Sequence, residues 1–282
     1  MMISNSIKLK IAPKRWVKKY FRNYLPEMAF FDISNLRLYF SLRDVSGPSF
    51  DLSYGGESSF VNYEKIDKDL IENYIRDEDV FFDIGANIGH FSFYFKRKMM
   101  GLKCFLFEPH PVLASCIRKT VEVSGFKDIN INQIALSNEN SKLQFFEDTF
   151  NDGGHSLICS MISKRSKKGK SFDVTAVTLD EYLKTLDVQR IDFMKVDVQG
   201  AEFMFLEGAA KTISKFGPKI FVELDNRKVL EFWEKLETLT EQSFKLVSPH
   251  ISEEINKENI KGLADKFYDA GFIEHNWLFL PV

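Results

Sequence analysis

The stretch FFDIGANIGHF, residues 81–91, sets an acid near the end of an apolar run, then two glycines four apart, then a return to phenylalanine. A fully buried strand has no use for Asp83, and a helix interior has none for Gly85 or Gly89. The pattern reads as a strand, a tight turn and the start of a helix that carries Ile88, Phe91 and Phe95 on one face. Gly85 supplies the turn, and Gly89 lets the following helix and a ligand approach closely. The free amides at the helix start offer hydrogen bonds to a carboxylate, and Asn87 adds a side chain to the same turn.

The segments on either side repeat this alternation. KCFLFEP (103–109) is a strand that stops at Pro109, and a helix begins at Pro111 with Leu113, Ile117 and Val121 inward and Gly125 just past its end. Then come ININQIALS (129–137), a hairpin strand KLQFFED (142–148), FDVTAVTLDEYL (172–183), the apolar strand IDFMKVDV (191–198), a helix over 201–215, and KIFVELD (219–225). Strands separated by helix-length segments imply crossover units, hence an α/β fold whose parallel sheet carries helices on both faces. The tail, with FKLVS (244–248), a helix near 255–270 and NWLFLPV (276–282), supplies two more strands, including an antiparallel edge. Upstream, a polar-capped helix is expected around 66–76, LRLYFSL (36–42) alternates like a half-buried strand, and SGPSFDLSYGGESS (46–59) reads as a loop or hairpin. The chain therefore divides into an N-terminal helix and strand extension, residues 1–62, and one domain over 63–282.

The 282 residues, 44% hydrophobic and 28% charged, suffice for a large core, and a net charge of -2 gives no global pull toward nucleic acid. Cys104, Cys116 and Cys159 include no C-x-x-C pair and read as reduced thiols. No apolar run approaches the ~20 residues of a membrane span, and the start lacks an apolar secretion segment, so a cytoplasmic location is expected. Two local basic stretches stand apart. In residues 8–22, Lys8, Lys10, Lys14, Arg15, Lys18, Lys19 and Arg22 surround Trp16, Val17, Tyr20 and Phe21. This reads either as a solvated helix packed by its aromatic side or as a weak contact with an anionic membrane surface. SKRSKKGKS (163–171) reads as a solvated loop, or as a lid or clamp for an anionic acceptor.

Open parallel sheets bind ligands beyond the carboxyl ends of their strands, where the winding reverses. Asp83, Glu108 and Asp197 all fall near such ends. The G-x-x-x-G turn, with Ala86 and Asn87 inside it, lacks the middle glycine of the dinucleotide fingerprint G-x-G-x-x-G. An acid before the first glycine suits a ligand with an ammonium group, and Glu108 suits both hydroxyls of a ribose. Those features fit S-adenosylmethionine better than NAD and leave a nicotinamide-dependent oxidoreductase as the weaker alternative.

Lys195, Asp197 and Gln199 alternate along a strand, so their side chains begin on one face. Glu202 follows just inside a helix, where an acid is favoured by the helix dipole. Three readings stay open: a structural ion pair of Lys195 and Asp197 with a capping Glu202; Asp197 as base or acceptor-orienter, tuned by Lys195 and supported by Glu202 and Glu223; or Asp197 as contact to a cofactor ammonium. His155, beside Ser156 in NDGGHSL, is an acceptor contact if its loop closes on the site and a solvent-facing histidine otherwise. His90 reads as helix packing and His110 as a turn or cap residue. No spacing is diagnostic of a metal, so none is expected.

FFDIGANIGHFSFYF, FEPHP, IALS, TLDEYL, IDFMKVDVQGAEFMFLEGA and PKIFVEL occur in an order and spacing that resembles the FkbM-type methyltransferase family. The resemblance covers residues 79–225 and is most specific from Lys195 to Glu202. It implies a Rossmann-like class I methyltransferase fold with a seven-stranded, mostly parallel sheet, S-adenosylmethionine as methyl donor, and a hydroxyl of a saccharide or other small polar metabolite as acceptor. By the same resemblance Asp83, Gly85, Ala86, Asn87 and Gly89 hold the methionine end, Glu108 with Pro109 holds the ribose, and Gln133 and Ala135 lie near adenine. One position departs from the family's K-x-D-x-E-G-x-E pattern. Gln199 keeps the size of the usual glutamate but carries no charge and cannot be a base, which raises a non-catalytic binding or scaffold protein as the alternative.

Overall fold

A computed structural model of the chain describes residues 6–8, 15–149, 151–161, 170–271 and 274–282. Seven strands form the main sheet: β1 (Val80–Ile84), β2 (Lys103–Phe107), β3 (Ile129–Asn132), β4 (Phe193–Val196), β5 (Lys219–Asp225), β6 (Phe244–Val247) and β7 (Glu274–Pro281). Their order is β3-β2-β1-β4-β5-β7-β6. Strands β1 to β5 pair in parallel, and β7 runs antiparallel to both β5 and β6. This is the Rossmann-like class I methyltransferase fold that the resemblance implied. The tail does supply two strands, but the antiparallel one lies inside the sheet and β6 is the edge. The winding reverses between β1 and β4, which puts the crevice for a ligand at their carboxyl ends.

Each central strand is buried on both faces, which is why β1 reads as continuous apolar sequence. Alternate residues serve two separate cores. Phe81, Phe193, Phe221 and Leu278 belong to one apolar cluster, and Phe82, Met194, Val222 and Phe279 belong to the other. The first face is covered by the helices His90–Lys98 and Pro111–Ser124 and by residues 28–75. The second is covered by the helices Glu202–Phe216, Val229–Thr240 and Ile260–Asp269. A small sheet of Ala135–Leu136, Ser171–Val177 and Ser141–Phe146 stands beside the main one and leads into residues 151–157.

The N-terminal extension is built into the first core. Its hairpin, Met28–Ile33 with Leu36–Ser41, is fastened to the helix Pro111–Ser124, where Tyr39 N–H donates to Thr120 Oγ1 at 3.0 Å and Arg37 N–H to Ser124 Oγ at 3.2 Å. Residues 46–59 are not the expected loop but most of a helix, Pro48–Asn62, kinked at Gly56. Pro48 suits its first turn, and the Asp44 carboxylate accepts from the N–H groups of Gly47 and Phe50 at 2.9 and 2.6 Å. Burial of Leu52 and Phe60 then outweighs the poor helix propensity of its glycines and serines. Lys18 is also not part of a solvated basic face: it is buried, with Nζ donating to Ser53 Oγ at 2.7 Å. Residues 9–14 of the basic N-terminal stretch and 163–169 of the basic loop lie outside the described residues. Among the described residues, no helix is long and apolar enough to cross a membrane.

The helix Glu202–Phe216 crosses the turn after Ala135–Leu136 at Gly208, where an added Cβ would stand 1.9 Å from the Ser137 carbonyl oxygen. Alanine would gain about 1 kcal/mol of helix propensity there, but a backbone clash of this depth is larger. Gly208→Ala is expected to destabilise the protein by roughly 1–3 kcal/mol, read as a lowered denaturation midpoint in urea.

Candidate active site

The turn after β1 follows from its backbone geometry. Gly85 has φ +76° and Asn87 has φ +55°, both left-handed, and a Cβ on Gly85 would lie 1.8 Å from the carbonyl oxygen of Asp197. Only glycine fits at 85, because the turn is pressed against the tip of β4. The amides expected to be free for a ligand are instead used by the protein. Gly85 and Ala86 both donate to Phe107 O at 3.0 Å, Ile88 donates to Asn87 Oδ1 at 2.8 Å and Gly89 to Ala86 O at 2.8 Å. Asn87 N–H donates to Glu108 Oε2 at 2.8 Å, and His110 N–H donates to Glu108 Oε1 at 2.8 Å. The turn thus fixes the Glu108 carboxylate rather than the ligand directly. Burial pushes Glu108 up to about 8, against the pull of those two amides.

Strand periodicity places Asp83, Lys195, Asp197 and Glu223 on one side of the sheet. Lys195 sits in register opposite Asp83, with 4.0 Å between Nζ and Oδ1, and donates to Asp197 Oδ2 at 3.1 Å. Burial alone would depress the Lys195 ammonium, but the carboxylates of Asp197, Asp83 and Glu64 outweigh it and hold its pKa above the ordinary value. Burial alone would likewise raise Asp197, yet Lys195 and Gln199 hold it below the usual carboxylate range. Gln199 Nε2 donates to Asp197 Oδ1 and to Glu223 Oε2, each at 2.8 Å. A glutamate at 199 would face two carboxylates with no proton to offer them, whereas the amide joins them.

These groups line a cavity of about 290 Å³. Gly85, Ala86, Asn87, Glu108, Pro109, Ala135, His155, Lys195, Asp197, Gln199 and Glu223 border it. Four other candidates do not border it. Asp83 lies one layer behind, accepting from Ser92 Oγ at 2.6 Å and facing Lys195. Gly89 packs on Phe93 and Leu106. Gln133 points outward and accepts from Arg118 at 2.8 Å, and its neighbour Ile134 lines the cavity instead. Glu202 folds back on its own turn, with Oε1 accepting from the N–H groups of Gly200 and Val198 at 2.9 and 3.3 Å. It braces the turn that leads into its helix and does not border the cavity.

His155 borders the apolar part, stacked on His110 with ring centroids 4.5 Å apart, and its Nδ1 accepts from Asp148 N–H at 2.9 Å. Burial pushes its pKa down to about 3, so the ring is neutral and offers the cavity only an Nε2–H. Ser156 does not contact the cavity; its hydroxyl donates to Gln199 O at 2.7 Å and ties residues 151–157 to the β4 tip. His110 N–H serves the turn as expected, while His90 packs on Phe60 and also touches the cavity.

Sequence reasoning missed the roof. Ser46, Gly47, Pro48, Tyr63 and Glu64 of the N-terminal region, together with Asn151, Asp152 and Gly153, close over the glycine turn. Asn87 Nδ2 donates to Asp152 O at 2.6 Å, and Asp152 N–H donates to Asp44 Oδ1 at 3.1 Å. Nothing local in these residues marks them, because the contacts join segments 65 and 108 residues apart. The one available signal was Glu64, an acid between two helices.

The residues present fit S-adenosylmethionine. Each Glu108 oxygen is oriented by one amide and keeps a lone pair for a ribose hydroxyl. Pro109, Leu113, Ile134, Ala135, Leu136, Phe145 and Leu157 offer an apolar surface beside it, and Asp197 offers an ionised counter-charge for an ammonium. Among the described residues no group of three His, Cys, Asp or Glu side chains is arranged to hold a metal ion.

Residues 83–256 match the Methyltransferase FkbM domain. Relatives include the methyltransferase sdnD of Sordaria araneosa, 29% identical over 177 residues that cover 54% of this chain and 65% of that protein. The 31-O-demethyl-FK506 methyltransferase FkbM of Streptomyces tacrolimicus is 25% identical over 161 residues, covering 48% of this chain and 60% of that one. The 2-O-methyltransferase NoeI of Sinorhizobium fredii (strain NBRC 101917 / NGR234) is 24% identical over 161 residues, covering 54% and 65%. The chain therefore spans less than two thirds of the length of each of these relatives. Since the domain match takes in well over half of its residues and includes the glycine turn, Glu108 and the Lys195–Glu202 block, the chain belongs to the FkbM methyltransferase family.

Proposed function

We propose that this protein transfers the methyl group of S-adenosylmethionine to a hydroxyl oxygen of a saccharide or similarly polar metabolite. One observation carries the reading: the Glu108 carboxylate, fixed by two amides at the tip of β2, shares a cavity with the ionised Asp197 at the tip of β4. That pair matches a ligand with ribose hydroxyls at one point and a positive group at another. Two of the relatives carry names that specify O-methylation, which supports oxygen as the acceptor atom.

When bound, the donor supplies a methyl group on a sulfonium, and the protein's part is to hold an acceptor oxygen in line with it. Glu108 orients the ribose. Asp197, kept ionised by Lys195, is the counter-charge for the ammonium; a carboxylate held this low is a poor base. Gln199 and Glu223 present an amide and a carboxylate toward the remaining space, suited to the hydroxyls of a polar acceptor. Tyr63, Glu64 and Asp152 border the same cavity from the roof.

Calorimetric titration is expected to give saturable binding of S-adenosylhomocysteine and none of NADH; the reverse would return the chain to the oxidoreductase class. Asp197→Asn is expected to weaken S-adenosylhomocysteine binding by about 10- to 100-fold, the loss of one charge-assisted hydrogen bond, whereas unchanged affinity would move Asp197 to the acceptor side. With labelled donor, methyl incorporation is expected into methyl glycosides of hexoses or deoxyhexoses. Binding without transfer to any hydroxyl compound would favour a scaffold role.

A further inference from the structure

Glu64 belongs to none of the motifs that define the domain. It lies where the helices Pro48–Asn62 and Lys65–Glu72 meet, and it lines the cavity together with Lys195, Asp197 and Glu223. Its backbone is left-handed, at φ 48° and ψ 42°, a conformation unfavourable for a glutamate. The turn is held from beneath by Lys68, which is fully buried and donates to the carbonyl oxygens of Phe60, at 2.9 Å, and Tyr63. A strained residue braced by a buried lysine is a costly way to end a helix, and its effect is to aim one carboxylate inward.

The other carboxylates of the cavity are committed. Glu108 accepts from two amides, Asp197 from Lys195 and Gln199, Glu223 from Gln199, and Asp152 from Ser49 N–H. No described residue donates a hydrogen bond to the Glu64 carboxylate. Its surroundings also set its proton affinity: burial pushes it up to about 7, Lys195 and Lys68 draw it down, and Asp197 and Asp67 push it up. Tyr63 stands beside it, with its own phenol pushed up by burial and by Glu64. A base poised near neutrality is the most effective at neutral pH, because it is both largely available and strong enough to take a proton.

We propose that Glu64 is the general base of the transfer, taking the proton of the acceptor hydroxyl as the oxygen is methylated. This rests on the functional reading above. In the step the acceptor oxygen gains a bond to the methyl carbon and loses its O–H bond. The electron pair of the broken carbon–sulfur bond stays on the departing thioether, and the proton passes to a Glu64 carboxylate oxygen. Glu64 is half-buried, so the proton then leaves to water.

The test compares the full-length protein with Glu64→Gln and Glu64→Gly, the second of which suits a left-handed backbone and guards against misfolding. Thermal melting and S-adenosylhomocysteine titration are expected to match the unaltered protein within about threefold in affinity, a difference of under ~1 kcal/mol. Infrared difference spectra between the unaltered protein and Glu64→Gln are expected to show a carboxyl band that titrates near pH 7. With methyl glycosides as acceptors, single-turnover transfer by either variant is expected to fall about 10²- to 10⁴-fold and to lose its rise through neutral pH, with partial rescue of Glu64→Gly by formate. Transfer by the unaltered protein with no loss in the variants would overturn the base assignment alone. Loss of S-adenosylhomocysteine binding in both variants would make Glu64 a cofactor contact and overturn it too. No transfer by the unaltered protein to any hydroxyl probe would remove the functional reading and the base with it.

Discussion

The site depends on one buried cation. Lys195 stands opposite Asp83 in the parallel pairing of β1 with β4 and reaches past it to Asp197. An unpaired ammonium at that depth would be prohibitively costly, so the two acids are required by the fold before they serve any ligand. Breaking such a buried pair typically costs about 3–5 kcal/mol, because one charge is left without its partner. The same pairing keeps Asp197 ionised at the tip of β4 and brings it against the Gly85 turn, where there is room for a hydrogen atom and no more. One set of contacts thus joins the fold to the cavity, with Asp83 one layer behind and Asp197 on the cavity wall.

The second constraint is that the half of the cavity built from the strand tips is open without the N-terminal region. Residues 46–48 and 63–64 form its roof, and the Asp44 to Asp152 contact ties that roof to the loop between the small sheet's strands. The extension is therefore part of the site rather than an appendage to it. Its hairpin and helices share the apolar cluster of the first sheet face, so roof and floor are held by a common core.

Much of this was legible in the sequence. The strands β1, β2, β4 and β5 announce themselves as short apolar runs, and the left-handed glycine turn and Glu108 follow from residue chemistry at strand ends. Where the reading went astray, long-range contact overrode local signal. Serines and glycines at 46–59 look like a loop, yet Leu52 and Phe60 find a core and a helix forms. Asp83 looks like a ligand contact because it precedes the glycines, but its register partner on the same sheet face is Lys195, which claims it. Gln133 was one residue out: in the short bend between Asn132 and Ala135, Ile134 turns inward to the cavity and Gln133 outward to Arg118. Glu64 carried only the faint signal of an acid between two helices, since its place on the cavity comes from a backbone conformation and a distant wall.

On the proposed function, a sulfonium nucleoside lies across the tips of β1 and β2 with its ribose on Glu108. A crystal structure with S-adenosylhomocysteine bound tests this most directly. Both ribose hydroxyls are expected within about 3 Å of the Glu108 carboxylate oxygens, with the adenine against Ile134 and Ala135 and the amino group facing Asp197. A nucleoside bound elsewhere, or Glu108 turned away from its sugar with the cleft closed by protein, would contradict it.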